Sequence, residues 1–210
     1  MDKEFIKIQL ALFFKSDYEG PFESASLKIK EQFGNDLNAQ IIGVPNNAPS
    51  EFPRVIINSP IVNINLSKNR IDFFSDKNTF VQDFFEKVWN IVSSLSLEIG
   101  RVGVVITFFK EIATDDFKEI FNQSKIESLN PQEITVRFNE RIQTNGINAN
   151  NSQMYVTGSA KNDQGIEKKG VIITRDINTH AEDLKKNSFT KETLNSFISE
   201  AVLLADKVLV

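Results

Sequence analysis

The only histidine of this 210-residue sequence stands among acidic residues, and the group has the residue types of a metal site or a catalytic centre. His180 follows Asp176 and precedes Glu182 and Asp183. Imidazole nitrogens and carboxylate oxygens ligate transition metals, yet a protein metal site needs three or four ligands in a defined geometry. An acidic turn before a helix accounts for the same residues. We favour that interpretation and predict no metal and no cofactor.

Other catalytic and phosphate-binding patterns are missing from the sequence. It has no cysteine, which excludes thiol catalysis, disulfides and zinc fingers. No G-x-S-x-G sequence accompanies the histidine, and neither glycine-rich phosphate loop occurs. The acidic pairs Asp115–Asp116 and Glu182–Asp183 fit a helix cap and a solvated turn. We therefore assign no catalytic residue, and an enzyme of unknown class stays a third alternative.

Arginines on or beside predicted strands have the clearest binding chemistry. A buried or interfacial guanidinium needs a partner, so these side chains either pair with carboxylates inside the sheet or bind an anionic ligand. The proline-rich segment VPNNAPSEFPR, which ends at the first of them, predicts an ordered loop, because proline fixes φ and removes a backbone donor. The candidate ligand or ion-pair residues are Arg54, Arg70, Arg101, Arg137 and Arg141.

Hydrophobic periodicity predicts the strands and helices on which these residues lie. Alternation over Phe5–Phe14 and Arg101–Phe109 predicts strands, the second of them central. Apolar columns over Thr79–Leu97 predict a helix that ends at Gly100, and Phe189–Val208 predicts an amphipathic last helix. A short helix is expected from Thr114 to Phe121, strands at 133–142, 153–159 and 168–177, and an Asn-rich link at 145–151.

The order of these elements predicts an α+β fold with a mostly antiparallel sheet and long helices packed on one face. Each half carries an antiparallel meander and a long helix, so the halves are expected to be loosely similar. The length fits a single domain over residues 1–210, with possible sub-lobes at 1–128 and 129–210.

A sheet with helices on one side leaves its other face to be explained. Strand alternation predicts that this face carries a mixture of polar side chains and apolar ones, which is typical of a partner-binding or self-association surface. The candidate interaction residues are Phe5, Phe13, Val105 and Phe109.

The overall composition excludes several partners. The formal net charge of −4 gives no electrostatic footprint for nucleic acid or for an anionic membrane. No apolar stretch approaches the roughly 20 residues of a membrane span. The N-terminal segment has acidic and polar residues that interrupt its apolar run, unlike a signal peptide. We therefore expect a cytoplasmic protein.

Four short motifs resemble those of a sporadically distributed, uncharacterised bacterial family of small α+β proteins. Glu51–Arg54 is similar to the end of its P-P-E-x-P-R loop, Arg70–Phe74 to its R-x-x-F strand, and Arg101–Ile106 to its R-V-G-L-R-Y strand. Ile106 and Thr107 depart from the Arg-Tyr of that last motif. Arg175–His180 is similar to the family's closing D-I-D element. The family's scattered occurrence suggests a mobile element or phage defence. A more distant architectural likeness is to SecB-like chaperones.

These observations favour a non-catalytic module that oligomerises or binds a partner protein through an exposed sheet face. The alternative is a binder of a small anionic ligand or nucleotide, which would use the strand arginines and the proline-rich loop.

Overall fold

The computed structural model describes most of the chain, and the predicted helix Thr114–Phe121 lies outside the described residues. Within them, no helix is long and apolar enough to cross a membrane. The described ranges are 3–34, 37–45, 47–77, 82–112, 135–161 and 167–207.

One nine-stranded sheet dominates the structure, and every pairing within it is antiparallel. Its order is β2-β3-β4-β5-β1-β6-β9-β8-β7, so β6 is central, as predicted. Together with three α-helices among the described residues, this sheet confirms the α+β class. The strands are β1 Glu4–Phe14, β2 Asn38–Ile41, β3 Val55–Asn58, β4 Asn63–Leu66, β5 Arg70–Ser75, β6 Ile99–Glu111, β7 Thr135–Thr144, β8 Ile147–Lys161 and β9 Glu167–Thr179. The helices are α1 Phe22–Phe33, α2 Gln82–Ser94 and α3 Lys191–Asp206.

The hydrophobic core lies between one face of the sheet and these helices. Alternate residues of β1 are buried on this face, which we call the helix face, and Phe73 of β5 joins them. Phe73 contacts Phe84 of α2 edge-to-face at 5.8 Å and Phe33 of α1 at 6.5 Å. Burying a large apolar side chain contributes about 1.5–3 kcal/mol. The buried β1 residues are Ile8, Leu10, Leu12 and Phe14.

An irregularity in β1 changes the side on which Phe5 lies. The register with β6 shifts between Phe5 and Lys7, which leaves Ile6 as an extra residue. An extra residue reverses the alternation of side chains beyond it. Phe5 therefore pairs with Phe108 and contacts its ring at 6.2 Å on the helix face. The prediction that Phe5 lies on the opposite face is wrong.

The end of α2 also differs from the prediction. Ser96, with φ 55°, takes the left-handed conformation, and Leu97 N donates to Val92 O at 2.9 Å, which closes the helix end. Gly100 lies inside β6 at a second register shift. A Cβ there would meet the backbone carbonyl of Leu184, with its carbon 2.9 Å away. Gly100 is thus needed for close backbone approach and does not end the helix.

The Asn-rich segment predicted as a link is a β-hairpin. Asn145 and Gly146 have φ of 50° and 78°, the positive values of a two-residue type I′ turn. Thr144 and Ile147 flank the turn as a pair. This turn joins β7 to β8 and places β7 at one end of the sheet order.

Candidate functional site

The sheet face opposite the helices, which we call the open face, contains a cleft of about 630 Å³. Phe74, Val105 and Met154 give the cleft an apolar floor, and Lys7 lies at its side. The turn between β3 and β4 forms one wall. Ser59 Oγ fixes this turn, because it accepts hydrogen bonds from the backbone N–H groups of Ile61 and Val62 at 3.2 and 2.9 Å. A cleft with mixed lining and a fixed wall can hold a bound segment.

Two arginines flank a phenylalanine on strands β5, β1 and β6, at the end of these strands that lies away from the cleft. Phe13 of β1 pairs with Arg70 of β5 on one side and with Arg101 of β6 on the other. The guanidinium carbons lie 5.8 and 4.6 Å from the centre of the phenyl ring. Cation–π contacts of this kind contribute roughly 0.5–1 kcal/mol at exposed sites. We call Arg70, Phe13 and Arg101 the arginine clamp.

Arg101 is the more firmly held of the two arginines. Its Nε donates to Thr179 O at 3.1 Å, and its Nη2 donates to Asn178 Oδ1 at 3.2 Å. Burial lowers the pKa of Arg101, the nearby Asp176 raises it, and the like charge of Arg70 lowers it further. Its Nη1 makes no hydrogen bond within the described part of the chain.

Arg70 is balanced by a buried acid. Its Nε lies 2.9 Å from Asp72 Oδ2, and the side chain of Asp72 is 2% exposed. The opposite charges of the two groups attract each other, and this attraction offsets part of the cost of burying the Asp72 carboxylate. Gln9 Nε2 donates to Asp72 Oδ1 at 3.1 Å. Burial raises the pKa of Asp72, and the charge of Arg70 and the hydrogen bond from Gln9 oppose that change without cancelling it.

Asp72→Asn should stabilise the protein at pH 7. Because the folded-state pKa of Asp72 lies above the unfolded value of 3.8, folding disfavours its carboxylate. This cost is complete above the folded-state pKa and disappears as pH falls towards the unfolded value. Thermal unfolding should give a higher Tm for Asp72→Asn at pH 7 and a smaller difference at pH 4. Asp76 is exposed, so Asp76→Asn is the control and should leave the Tm unchanged. A lower Tm for Asp72→Asn at pH 7 would show that the Arg70 pair outweighs burial.

The other predicted arginines lie away from the clamp. Arg54 is buried, and its Nη2 donates to Ala48 O at 3.4 Å, which ties the proline-rich loop to the start of β3. Arg137 of the exposed strand β7 donates through Nε to Ser152 Oγ at 3.0 Å and to Asn139 Oδ1 at 3.2 Å. Arg141 is exposed on the same strand. The predicted set therefore divides into one pair and three separate residues.

The predicted interaction residues also separate. Phe13 and Val105 lie half-buried on the open face, in the clamp and the cleft. Phe109 pairs with Ile172 on that face but is only 2% exposed. A Cβ on Gly170 would lie 2.6 Å from the Phe109 ring, so the ring packs closely against this glycine. Phe109 is packed and not available to a partner, which corrects its predicted role.

The residues around His180 do not form a metal site. Among the described residues, no three histidine or acidic side chains could hold a metal ion together. Asp176 accepts a hydrogen bond from Asn178 on the open face at 2.9 Å. His180 is buried, and its Nδ1 lies 3.5 Å from Glu182 Oε1.

Arg175 is a buried cation that the predicted set omitted. It is 3% exposed on the helix face, and its Nη2 donates to Leu204 O near the end of α3 at 3.1 Å. Burial lowers its pKa, which the neighbouring Tyr155 opposes. The sequence contained the signal: Val171, Ile173 and Ile177 alternate on one face, and Arg175 occupies the gap between them. The helix C-terminus favours a cation there.

The proline-rich loop lies at the clamp end of the sheet. Ser67 Oγ donates to Glu51 O at 2.9 Å, and Lys68 N donates to Ser50 O at 3.0 Å. These bonds attach the loop to the turn that immediately precedes Arg70. The loop and the clamp are therefore neighbours in space, although Arg54 itself points into the loop.

Sequence comparison finds no relative of this chain. No protein-family model matches this chain, and no curated protein matches its sequence. The resemblance to a sporadically distributed bacterial family stays a prediction from short motifs.

Proposed function

We propose that this chain is a non-catalytic binding module that holds a carboxylate-bearing, extended segment of a partner protein along its open face. The arginine clamp carries this proposal. Its two guanidinium groups flank one phenyl ring, and Arg70 and Arg101 both keep terminal N–H groups that make no hydrogen bond within the described residues. Guanidinium groups bind carboxylates well because their donors match the two oxygens.

The distribution of charge supports an acidic partner. The whole chain has a net charge of −4. The strands of the open face carry six cationic and four anionic side chains, and Asp76, which lines the cleft just beyond β5, adds a fifth acid, so this surface has a small net positive charge. Such a contrast steers an acidic partner towards this face. The cations are Lys7, Arg70, Arg101, Arg137, Arg141 and Lys168, and the acids are Glu4, Asp72, Glu111 and Asp176.

The distance between cleft and clamp supports an extended segment. Gln9 lines the cleft and Phe13 belongs to the clamp, four residues further along β1. At about 3.4 Å per residue the two ends are roughly 14 Å apart. Ala11 and Gly103 lie between them as neighbours in the register, so no bulky side chain interrupts the path. A single short ligand would occupy only one end.

A pair of synthetic peptides tests the proposal. One alternates Glu with Val over ten residues, and the other replaces every Glu with Gln. We expect fluorescence anisotropy to give at least tenfold tighter binding of the Glu peptide, and we expect 500 mM salt to remove most of that advantage. Equal binding of both peptides, or no binding of either at about 1 mM, would overturn the proposal.

A small anionic ligand is the second candidate, favoured by the clamp alone. A carboxylate or phosphate between Arg70 and Arg101 would need no contact with the cleft. Thermal-shift measurements with free dicarboxylates and phosphorylated metabolites separate this case from the first, because ligand binding raises the Tm. Stabilisation by these small anions without binding of the Glu peptide would favour it.

A further inference from the structure

The two edges of the sheet are very different. Strand β2 at one edge has four residues, whereas β7 at the other edge has ten, most of them exposed. A long edge strand presents unpaired backbone N–H and C=O groups and is a template for another strand. Phe138 in the middle of β7 is 58% exposed. Among the described residues, no strand pairs with this outer edge.

The hairpin turn determines which backbone groups of β7 point outward. Thr144 and Ile147 flank a two-residue type I′ turn and form a hydrogen-bonded pair. Hydrogen-bonded and non-hydrogen-bonded pairs alternate along antiparallel strands. Even-numbered residues of β7 therefore bond to β8, and odd-numbered residues such as Arg137, Asn139 and Arg141 direct their N–H and C=O groups away from the sheet.

We propose that β7 pairs with β7 of a second copy of this chain, antiparallel, about a two-fold axis at Phe138. This register places Arg137 opposite Asn139 of the second copy and Thr135 opposite Arg141. Arg137 Nε already donates to Asn139 Oδ1 at 3.2 Å within one chain, so the two side chains are chemically complementary. The paired segment, residues 135–141, would form about eight backbone hydrogen bonds.

Charge excludes the neighbouring registers. Centring the axis on Asn139 places Arg137 opposite Arg141, and centring it on Arg137, Glu140 or Arg141 places identical charges face to face. Like charges directly opposite each other destabilise a sheet. The Phe138 register is the longest one that avoids them. It also places the two exposed rings together at a non-hydrogen-bonded position, where strands approach most closely.

The pairing would join two nine-stranded sheets with both open faces on the same side. It goes beyond the proposed binding function and does not depend on it, because β7 lies four strands away from the clamp strand β1. Two open faces side by side would bind repeated acidic segments with avidity.

Cysteine crosslinking tests the register, because the chain has no native cysteine. At the axis, the two Cα atoms of residue 138 would lie about 4.5 Å apart, which suits a disulfide. Under mild oxidation we expect most of Phe138→Cys to form a species of twice 23.8 kDa on a non-reducing gel. Glu140→Cys is the matched control on the same strand and face. Its Cα atoms would lie roughly 13 Å apart, so it should stay uncrosslinked.

Light scattering after size exclusion tests the pairing without cysteines. The wild-type chain should have the dimer mass, and Asn139→Pro should have the monomer mass, because proline removes an outward N–H without disturbing β8. Gln143→Pro has the same outward geometry but lies outside the paired segment, so it should stay dimeric. A monomeric wild type at 200 µM would overturn the proposal, and so would crosslinking of Glu140→Cys as fast as Phe138→Cys.

Discussion

Gly100→Ala should lower the free energy of unfolding by about 3 kcal/mol, near the upper end for an overpacked site. The added methyl group would occupy the space of the Leu184 carbonyl, whose carbon lies 2.9 Å from the ideal Cβ position, and backbone cannot rotate away as a side chain can. Urea unfolding followed by circular dichroism measures the change, because the unfolding free energy falls linearly with urea.

The Gly100→Ala substitution should also destabilise α3. The segment that contains Leu184 leads to Phe189, whose backbone N–H donates to Ile99 O at 3.2 Å. That bond and the contact at Gly100 hold the approach to α3 against the start of β6. Amide exchange should therefore be faster in α3 of Gly100→Ala than in wild-type protein.

Gly103→Ala is the matched control in the same strand. Its Cβ would meet Asn178 Cβ at 3.5 Å and Ala11 Cβ at 3.9 Å, which are ordinary packing distances. Alanine also restricts the unfolded chain, so the stability should change by less than about 1 kcal/mol. Equal losses for both variants would contradict the close approach at Gly100.

Arg101→Gln should weaken binding of the alternating Glu peptide at least tenfold. The substitution removes one guanidinium of the clamp, and a tenfold change corresponds to about 1.4 kcal/mol, close to the lower end of the range for a hydrogen bond to a charged group. Glutamine keeps a donor that can reach Thr179 O, so the fold should survive. Fluorescence anisotropy gives the affinity, and a thermal scan of the same sample checks that the protein is folded.

Arg141→Gln is the control for charge alone. Arg141 lies on the same face but on the edge strand β7, far from the clamp. Its removal should change the affinity by less than about twofold, since exposed charges at a distance are screened. Arg101→Lys should retain part of the affinity, because lysine keeps the charge without the two-pronged geometry. Equal effects of Arg101→Gln and Arg141→Gln would show that the peptide responds only to the general positive potential of this face. The clamp would then have no specific role in binding.

Much of the fold follows from local periodicity. Alternation in Ile8, Leu10, Leu12 and Phe14 was sufficient to place β1 against the helices, because a half-buried strand must alternate. The same reasoning failed at Phe5, since one extra residue reverses the alternation and nothing in the sequence marks it. The hairpin at Asn145–Gly146 was predictable, because Asn-Gly is the strongest short hairpin signal. The neighbouring asparagines have low strand propensity, and for that reason the segment reads as a link and not as a hairpin.

The candidate site depended on information that periodicity does not contain. The sequence indicates arginines on strands, but Arg70 and Arg101 meet Phe13 only because β5 and β6 both pair with β1. That strand order is set by contacts far apart in sequence. The burial of Phe109 does not follow from the sequence for a related reason: alternation predicts its face, but the glycine that accommodates its ring lies on β9.

Chemical-shift mapping with the alternating Glu peptide shows, residue by residue, which surface of the protein the peptide contacts. Amide resonances are within reach of this measurement for a chain of 23.8 kDa and for a dimer of twice that mass. We predict that the largest changes occur at Phe13, Arg70 and Arg101 and extend along β1 to Gln9 in the cleft. The amides of α1, α2 and α3 should stay nearly unchanged. The largest changes on those helices, or changes spread evenly over the surface, would contradict a binding site on the open face.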